Sequence, residues 1–276
     1  MELAYKHYGK EGDQPLIILH GLLGLSDNWV TFGRRIADEG FHVYIPDQRN
    51  HGLSPHSNSF NYLALTDDLL EFIDRQHIEN PILLGHSMGG KVAMRFAIEN
   101  PELVKRLEVV DISLKAYGER PFHRHIIKAM KSIDLNGISS RTEAEDLLSE
   151  YIKQTRIRQF LLKNLHWKEK GKLEWRINLD GIGQNLDQMF DAIDTDRIFE
   201  KPTLFIRGGD SDYILPEDYP QIRVNFPKAE IITIEGTSHW VHAEAPEKFY
   251  QLSSGFLSGD SKAEKQQEPG SYPFKY

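Results

Sequence analysis

The chain has 276 residues and a mass of 31.8 kDa, with 39% hydrophobic and 27% charged residues. That is enough apolar material for one large core carrying an insertion. A net charge of −8 argues against nucleic acid as a partner, and the absence of cysteine excludes disulfides, thiolate nucleophiles and thiolate-held metals. The start, Met1-Glu2-Leu3-Ala4, lacks the basic and apolar stretches of a secretory signal, and no run approaches the ~20 apolar residues of a membrane span. A cytoplasmic protein without stable membrane insertion is expected.

Short runs rich in Ile, Leu and Val recur along the chain. They are PLIIL (15–19), HVYIP (42–46), PILLG (81–85), LEVVD (107–111), TLFIR (203–207) and EIITI (230–234). Each has the length and continuous apolarity of a strand buried on both faces. Helix-length segments separate most of them, and this alternation predicts an α/β fold with a mostly parallel, doubly wound sheet. Between Ser113 and Lys201 the strand rhythm stops and helical spacing takes over. Phe122, Ile126, Ile127, Met130 and Ile133 share one face, and Ile157, Phe160, Leu161 and Leu165 another. The expected division is one discontinuous core over 1–112 and 202–258, a helical cap over 113–201, and a polar tail over 259–276.

Chemistry concentrates at the strand ends. Gly85-His86-Ser87-Met88-Gly89 matches G-x-S-x-G, with a strand ending at its first glycine and a helix-forming run after the serine. A nucleophile elbow needs that setting, because the serine is strained and its neighbours must lack bulk. A phosphate-binding loop is the rival reading, but the lysine and spacing of that motif are missing. A serine hydroxyl needs a base. Of 12 histidines, His239 stands in the loop after the last strand, at the sheet edge where Ser87 must also lie, with His242 as rival. His20 and His51, each followed by glycine, read as structural donors, and His123 and His125 as residues of a solvated helix face. Backbone N–H groups of Leu22 and Met88 are the expected oxyanion hole. For the acid that orients the histidine, the residues leave two places open: Asp111 at one strand end, and Asp210 or Asp212 in GGDSDY at another. Asp212 fits the broader pattern G-x-x-D-x-x-x-P, from Gly209 to Pro216.

The motifs LHGLLG, DQRNHGLSPH, GHSMGGKVAM, VVDIS, RQFLLKNL and GTSHWVHAEAPEKF resemble the YbfF-type branch of α/β-hydrolase serine esterases, from about Pro15 to Leu257. The resemblance implies an α/β-hydrolase fold whose helical cap precedes the strand that the fold counts as its seventh. It also implies a serine hydrolase acting on small-molecule acyl esters and on acyl thioesters such as acyl-CoA, with no metal or cofactor. Carried over by position, Ser87 matches the nucleophile, His239 the base and Asp111 the triad acid, which leaves Asp212 as the alternative. An aminopeptidase, a carbon–carbon bond hydrolase and a non-catalytic ligand receptor share the fold and are the competing readings.

Residues 113–176 carry 14 Lys/Arg against 8 Asp/Glu, a local surplus that suits an anionic leaving group or only a solvated cap surface. Trp167, Trp175 and Phe190 are candidates to line an acyl pocket, although packing of the cap is the more ordinary use of such residues.

Overall fold

The computed structural model describes residues 1–118, 121–138 and 140–259; all of the expected tail except Gly259 lies outside the described residues. All six expected strands form: β2 (Gln14–Leu19), β3 (Phe41–Pro46), β4 (Ile82–His86), β5 (Arg106–Val110), β8 (Thr203–Gly208) and β9 (Ala229–Ile234). A seventh, β1 (Tyr5–Tyr8), joins β3 antiparallel at the sheet edge, giving the order β1-β3-β2-β4-β5-β8-β9 with all other pairs parallel. Its sequence, YKHY, escapes a search for apolar runs because an edge strand here keeps both faces partly wet.

Successive residues of β2 serve opposite faces. Leu16 and Ile18 join a core with Trp29, Ile36 and Phe249, beneath α1 (Val30–Ala37) and α10 (Pro246–Ser258). Ile17 and Leu19 join a core with Phe72, Val92 and Phe96, beneath α2 (Tyr62–Arg75) and α3 (Met88–Glu99). This period of two is why a doubly covered strand must be apolar throughout. Truncation of fully buried Phe96 to Ala would cost roughly 3–5 kcal/mol.

Among the described residues, the segment from β5 to β8 carries four α-helices: α4 (Pro121–Ser132), α5 (Arg141–Tyr151), α6 (Thr155–Leu162) and α7 (Leu179–Gln184). The expected apolar face of α4 is buried at Ile126, Ile127 and Met130, with Ile133 just beyond, and continues the Phe96 core upward, but Phe122 at its start is exposed. Contrary to the all-helical expectation, this segment also holds an antiparallel hairpin, β6 (Leu165–Glu169) and β7 (Lys172–Trp175). Only Leu165 and Leu173 are buried there, so charged residues hide the strand pattern. The outgoing and returning chains pair through Ile193 N–H to Leu114 O (2.8 Å) and Tyr117 N–H to Phe190 O (2.9 Å). Lys91 of α3, fully buried, donates its Nζ to Lys115 O (2.8 Å) and to Asp191 O, tying both chains to the core.

Between β8 and α10 lie α8 (Tyr219–Asn225), strand β9 and the single turn α9 (Val241–Glu244). After β2 the chain places β3 on one side and β4 on the other, so direction reverses at β2–β4. The carboxyl ends of those two strands open a crevice where loops from both sides converge.

Candidate active site

Ser87 sits at that crevice, between the end of β4 and the start of α3, with φ 53° and ψ −119°. A non-glycine residue at such a φ is strained by roughly 1–3 kcal/mol, and the turn holds because its surroundings leave no slack. A Cβ on Gly85 would fall 2.3 Å from Gly89 O, and one on Gly89 would fall 2.3 Å from Leu19 O. Only glycines let strand and helix approach this closely. Ser87 N–H donates to Val110 O (3.1 Å), which fixes the elbow against β5.

Asp111 follows Val110 and is also strained, at φ 49°. Its carboxylate is 0% exposed. Oδ1 accepts the N–H of Gly208 at 3.0 Å, Oδ2 accepts the hydroxyl of Ser211, and Oδ2 also lies 2.8 Å from His239 Nδ1. On its other side His239 places Nε2 2.9 Å from Ser87 Oγ. A proton on Nδ1, facing the carboxylate, leaves Nε2 free to accept from the hydroxyl. The geometry therefore joins Ser87, His239 and Asp111 in one chain of hydrogen bonds. Asp210 and Asp212 are exposed on the outward side of their loop.

Several groups hold the histidine, and motif reading missed them. Tyr213 stacks on its ring at 3.7 Å. His86 sets Nε2 2.9 Å from the His239 carbonyl, and Glu244 accepts from Ser238 N–H (2.5 Å) and Ser238 Oγ (2.7 Å) just before it. Ser211 and Tyr213 carried no motif signal; only the course of the turn after β8 brings them beside Asp111 and His239.

The rival His242 stacks on Trp29 instead, at 4.3 Å and 15°. Burial lowers it to about 3, helped by His239 and Lys163. His20 and His51 have structural roles, but each accepts as well as donates. His20 Nδ1 meets Gly21 O while Nε2 accepts the N–H of Gln48; His51 Nδ1 meets Arg49 O while Nε2 accepts the N–H of Leu23. Burial lowers both, His51 to about 3, so they stay neutral and able to accept. Between them they shape the turn after β2, where Leu23 has φ 63° and a Cβ on Gly21 would lie 3.2 Å from Ser87 Cβ. Leu22 in that turn lines the same cavity as Ser87. Met88, the first residue of α3, has no intrahelical carbonyl for its N–H.

The cavity over Ser87 measures about 480 Å³ and lies between the core and α6. Trp167, Trp175 and Phe190 do not line it. Trp167 is 45% exposed, Trp175 donates to Met130 O (3.2 Å), and Phe190 packs on His123. The aromatic lining comes from Trp29, Phe32, Phe160, Trp240, Phe249 and Tyr250. His125 is exposed, whereas His123 is half-buried and reaches the cavity, contrary to the solvated face expected for both. Much of the cap's positive charge is paired: Arg124 with Asp187, Lys131 with Asp180, Arg158 with Glu145 and Lys168 with Glu174.

Comparison with known proteins places this geometry in a family. The alpha/beta hydrolase family matches residues 16–252. Among curated relatives, sn-1-specific diacylglycerol lipase ABHD11 from Danio rerio is 40% identical over 263 residues, which cover 93% of this chain and 83% of that protein. Esterase YbfF from Escherichia coli (strain K12) is 31% identical over 251 residues, covering 90% and 95%. A solved structure of a marine microorganism esterase is 44% identical, with a TM-score of 0.87, covering 93% of this chain and 99% of its own. By the extent of these matches and by its sheet, this chain belongs to the alpha/beta hydrolase family.

Proposed function

We propose that this chain is a serine esterase that hydrolyses small-molecule carboxylic esters through an acyl-enzyme. The observation that carries the reading is the relay Ser87 Oγ to His239 Nε2 at 2.9 Å and His239 Nδ1 to Asp111 Oδ2 at 2.8 Å. Ser87 Oγ attacks the ester carbonyl as its proton passes to His239 Nε2, and Asp111 stabilises the imidazolium. The carbonyl oxygen becomes an oxyanion facing the N–H groups of Leu22 and Met88. Collapse breaks the bond to the alkoxide, which takes the proton from His239. Water, deprotonated by His239, then releases the carboxylic acid and restores Ser87. The names of the relatives, an esterase and a lipase, support ester substrates.

Acyl thioesters such as acyl-CoA enter the same sequence, with a thiol as leaving group. Arg156 and Lys163 line the cavity and supply positive charge for a phosphate-bearing partner. In this reading residues 113–201 serve as the cap over the core. The test is hydrolysis of p-nitrophenyl butyrate and labelling by a fluorophosphonate. Ser87→Ala is expected to lose labelling and about 10⁴-fold or more in kcat; turnover retained by the variant overturns the proposal.

A further inference from the structure

The cavity does not end at Ser87. From His86, beside the nucleophile, a line of rings leads away from it. His86 meets His242 at 4.7 Å, His242 stacks on Trp29, and Trp29 meets Phe249 at 6.0 Å. Phe249 then meets Phe32 at 5.3 Å, and Phe32 meets Tyr250 at 5.9 Å. All six line the cavity, yet Trp29 and Phe249 are each only 1% exposed, so they form a floor rather than a rim. Residues of α1 and of α9–α10, with Ile157 and Phe160 of α6, complete the lining. The result is an apolar groove that starts at the nucleophile.

Its far end is polar. Arg35 Nη1 donates to both carboxylate oxygens of Glu247, at 2.7 and 2.8 Å, and the guanidinium lies 3.5 Å from the Tyr250 ring centroid. Both members of the pair line the cavity, and together they bridge α1 to α10 across the groove. Arg35 stands six residues beyond Trp29, about 9 Å along the helix at ~1.5 Å per residue.

We propose that this groove receives the acyl chain of the ester, and that the Arg35–Glu247 pair is the stop that sets the longest chain accepted. This rests on Ser87 being the nucleophile. The leaving alcohol must stay within reach of His239 Nε2, which protonates it, whereas the turn carrying Leu22 leads through the short helical turn Ser26–Asn28 to Trp29 and α1. An acyl carbon held there points its chain along the groove. Each methylene buried on the aromatic floor raises kcat/KM by about fourfold. Arg35 is 46% and Glu247 71% exposed, so the groove opens to water at the pair, and a chain that reaches it meets charged groups in place of further apolar surface; the gain stops there.

The experiment measures kcat/KM for two ester series in the full-length protein and its variants. One varies the acyl chain of p-nitrophenyl esters from acetate through hexanoate to dodecanoate; the other varies the alcohol of alkyl acetates. For the parent protein, kcat/KM is expected to climb along the acyl series, pass a maximum and fall, and to vary little along the alcohol series. Arg35→Ala and Glu247→Ala remove the stop from either side, and each is expected to raise the dodecanoate-to-hexanoate ratio at least fivefold. Ala243→Trp, at the groove wall, is expected to lower the hexanoate-to-acetate ratio at least tenfold. Arg75→Ala, which breaks the surface pair with Glu71, leaves both ratios unchanged.

If ratios in the acyl series ignore all three groove substitutions while Ser87 still labels with a fluorophosphonate, the groove is not the acyl site and the nucleophile stands. If the alcohol series responds instead, the groove holds the leaving group and the proposal falls. If neither series is turned over, the proposal falls together with the esterase reading.

Discussion

Tyr213 lies flat on His239, with ring centroids 3.7 Å apart and planes 17° from parallel. Its carbonyl accepts from the Tyr117 hydroxyl at 2.7 Å, which holds the loop against the cap's first residues. A ring face over an imidazole favours its cationic form and limits its rotation, both of which serve a base that becomes imidazolium in the transition state. Tyr213→Ala is therefore expected to lower kcat by roughly three- to thirtyfold, the scale of a cation–π contact of about 0.5–2 kcal/mol. Tyr213→Phe keeps the ring and is expected to restore kcat; a Phe variant as impaired as Ala would refute the stacking role. The check is steady-state kinetics of ester hydrolysis for the two variants.

Asp111 and Asp212 separate in the same assay. Asp111 is buried against His239 Nδ1, with Gly208 and Ser211 as further donors, while Asp212 is exposed. Asp111→Asn is expected to lower kcat by about 10⁴-fold through the wrong imidazole tautomer. Asp212→Asn is expected to stay within about twofold, since surface changes cost little. Steady-state kinetics of the two variants decide it, and the reverse result would move the acid to the β8 loop.

Lys91 anchors the chain on both sides of the cap. Burial lowers it to about 7, partly offset by Asp191. Its depressed folded value means that its contribution to stability is present at pH above the unfolded value near 10.5 and is lost as pH falls through about 7. Lys91→Met leaves the carbonyls of Lys115 and Asp191 without this donor, at a cost of about 2 kcal/mol. The expected outcome is faster limited proteolysis at residues 113–117 and 190–194, measured at pH 8 against the parent protein.

Glu108, on the interior strand β5, is fully buried and accepts from Ser253 Oγ at 2.5 Å. Burial raises it to about 8 although the serine contact opposes the shift. A raised folded value means a contribution to stability fully present below the unfolded value near 4.5 and lost as pH rises through about 8. Relative to Glu108→Gln, the parent protein is expected to lose up to about 1.4 kcal/mol per pH unit between those limits. Denaturant unfolding of both proteins from pH 5 to 8.5 measures that difference.

The sequence by itself determined what local pattern can carry. Six strands were legible because a strand covered on both faces must be apolar at every position, and Ser87 was legible because its elbow demands glycines at set distances. His239 stood out through its place after the last strand. Edge strand β1 and hairpin β6–β7 were not legible, since strands wet on one or both faces need no apolar run.

Only the tertiary structure decided which acid meets His239. Asp111 directly follows β5 and Asp212 stands in the loop after β8, at the same sheet edge, and the difference is the direction of a side chain. Positive φ at Asp111 turns its carboxylate inward, while the loop after β8 alternates, sending Asp210 and Asp212 out and Ser211 and Tyr213 in. The aromatic groove was hidden for the same reason. Trp29 and Phe32 at one end of the chain and His242, Phe249 and Tyr250 of α9 and α10 at the other stand more than 200 residues apart, and neighbours across such a gap exist only once the sheet has brought the helices together.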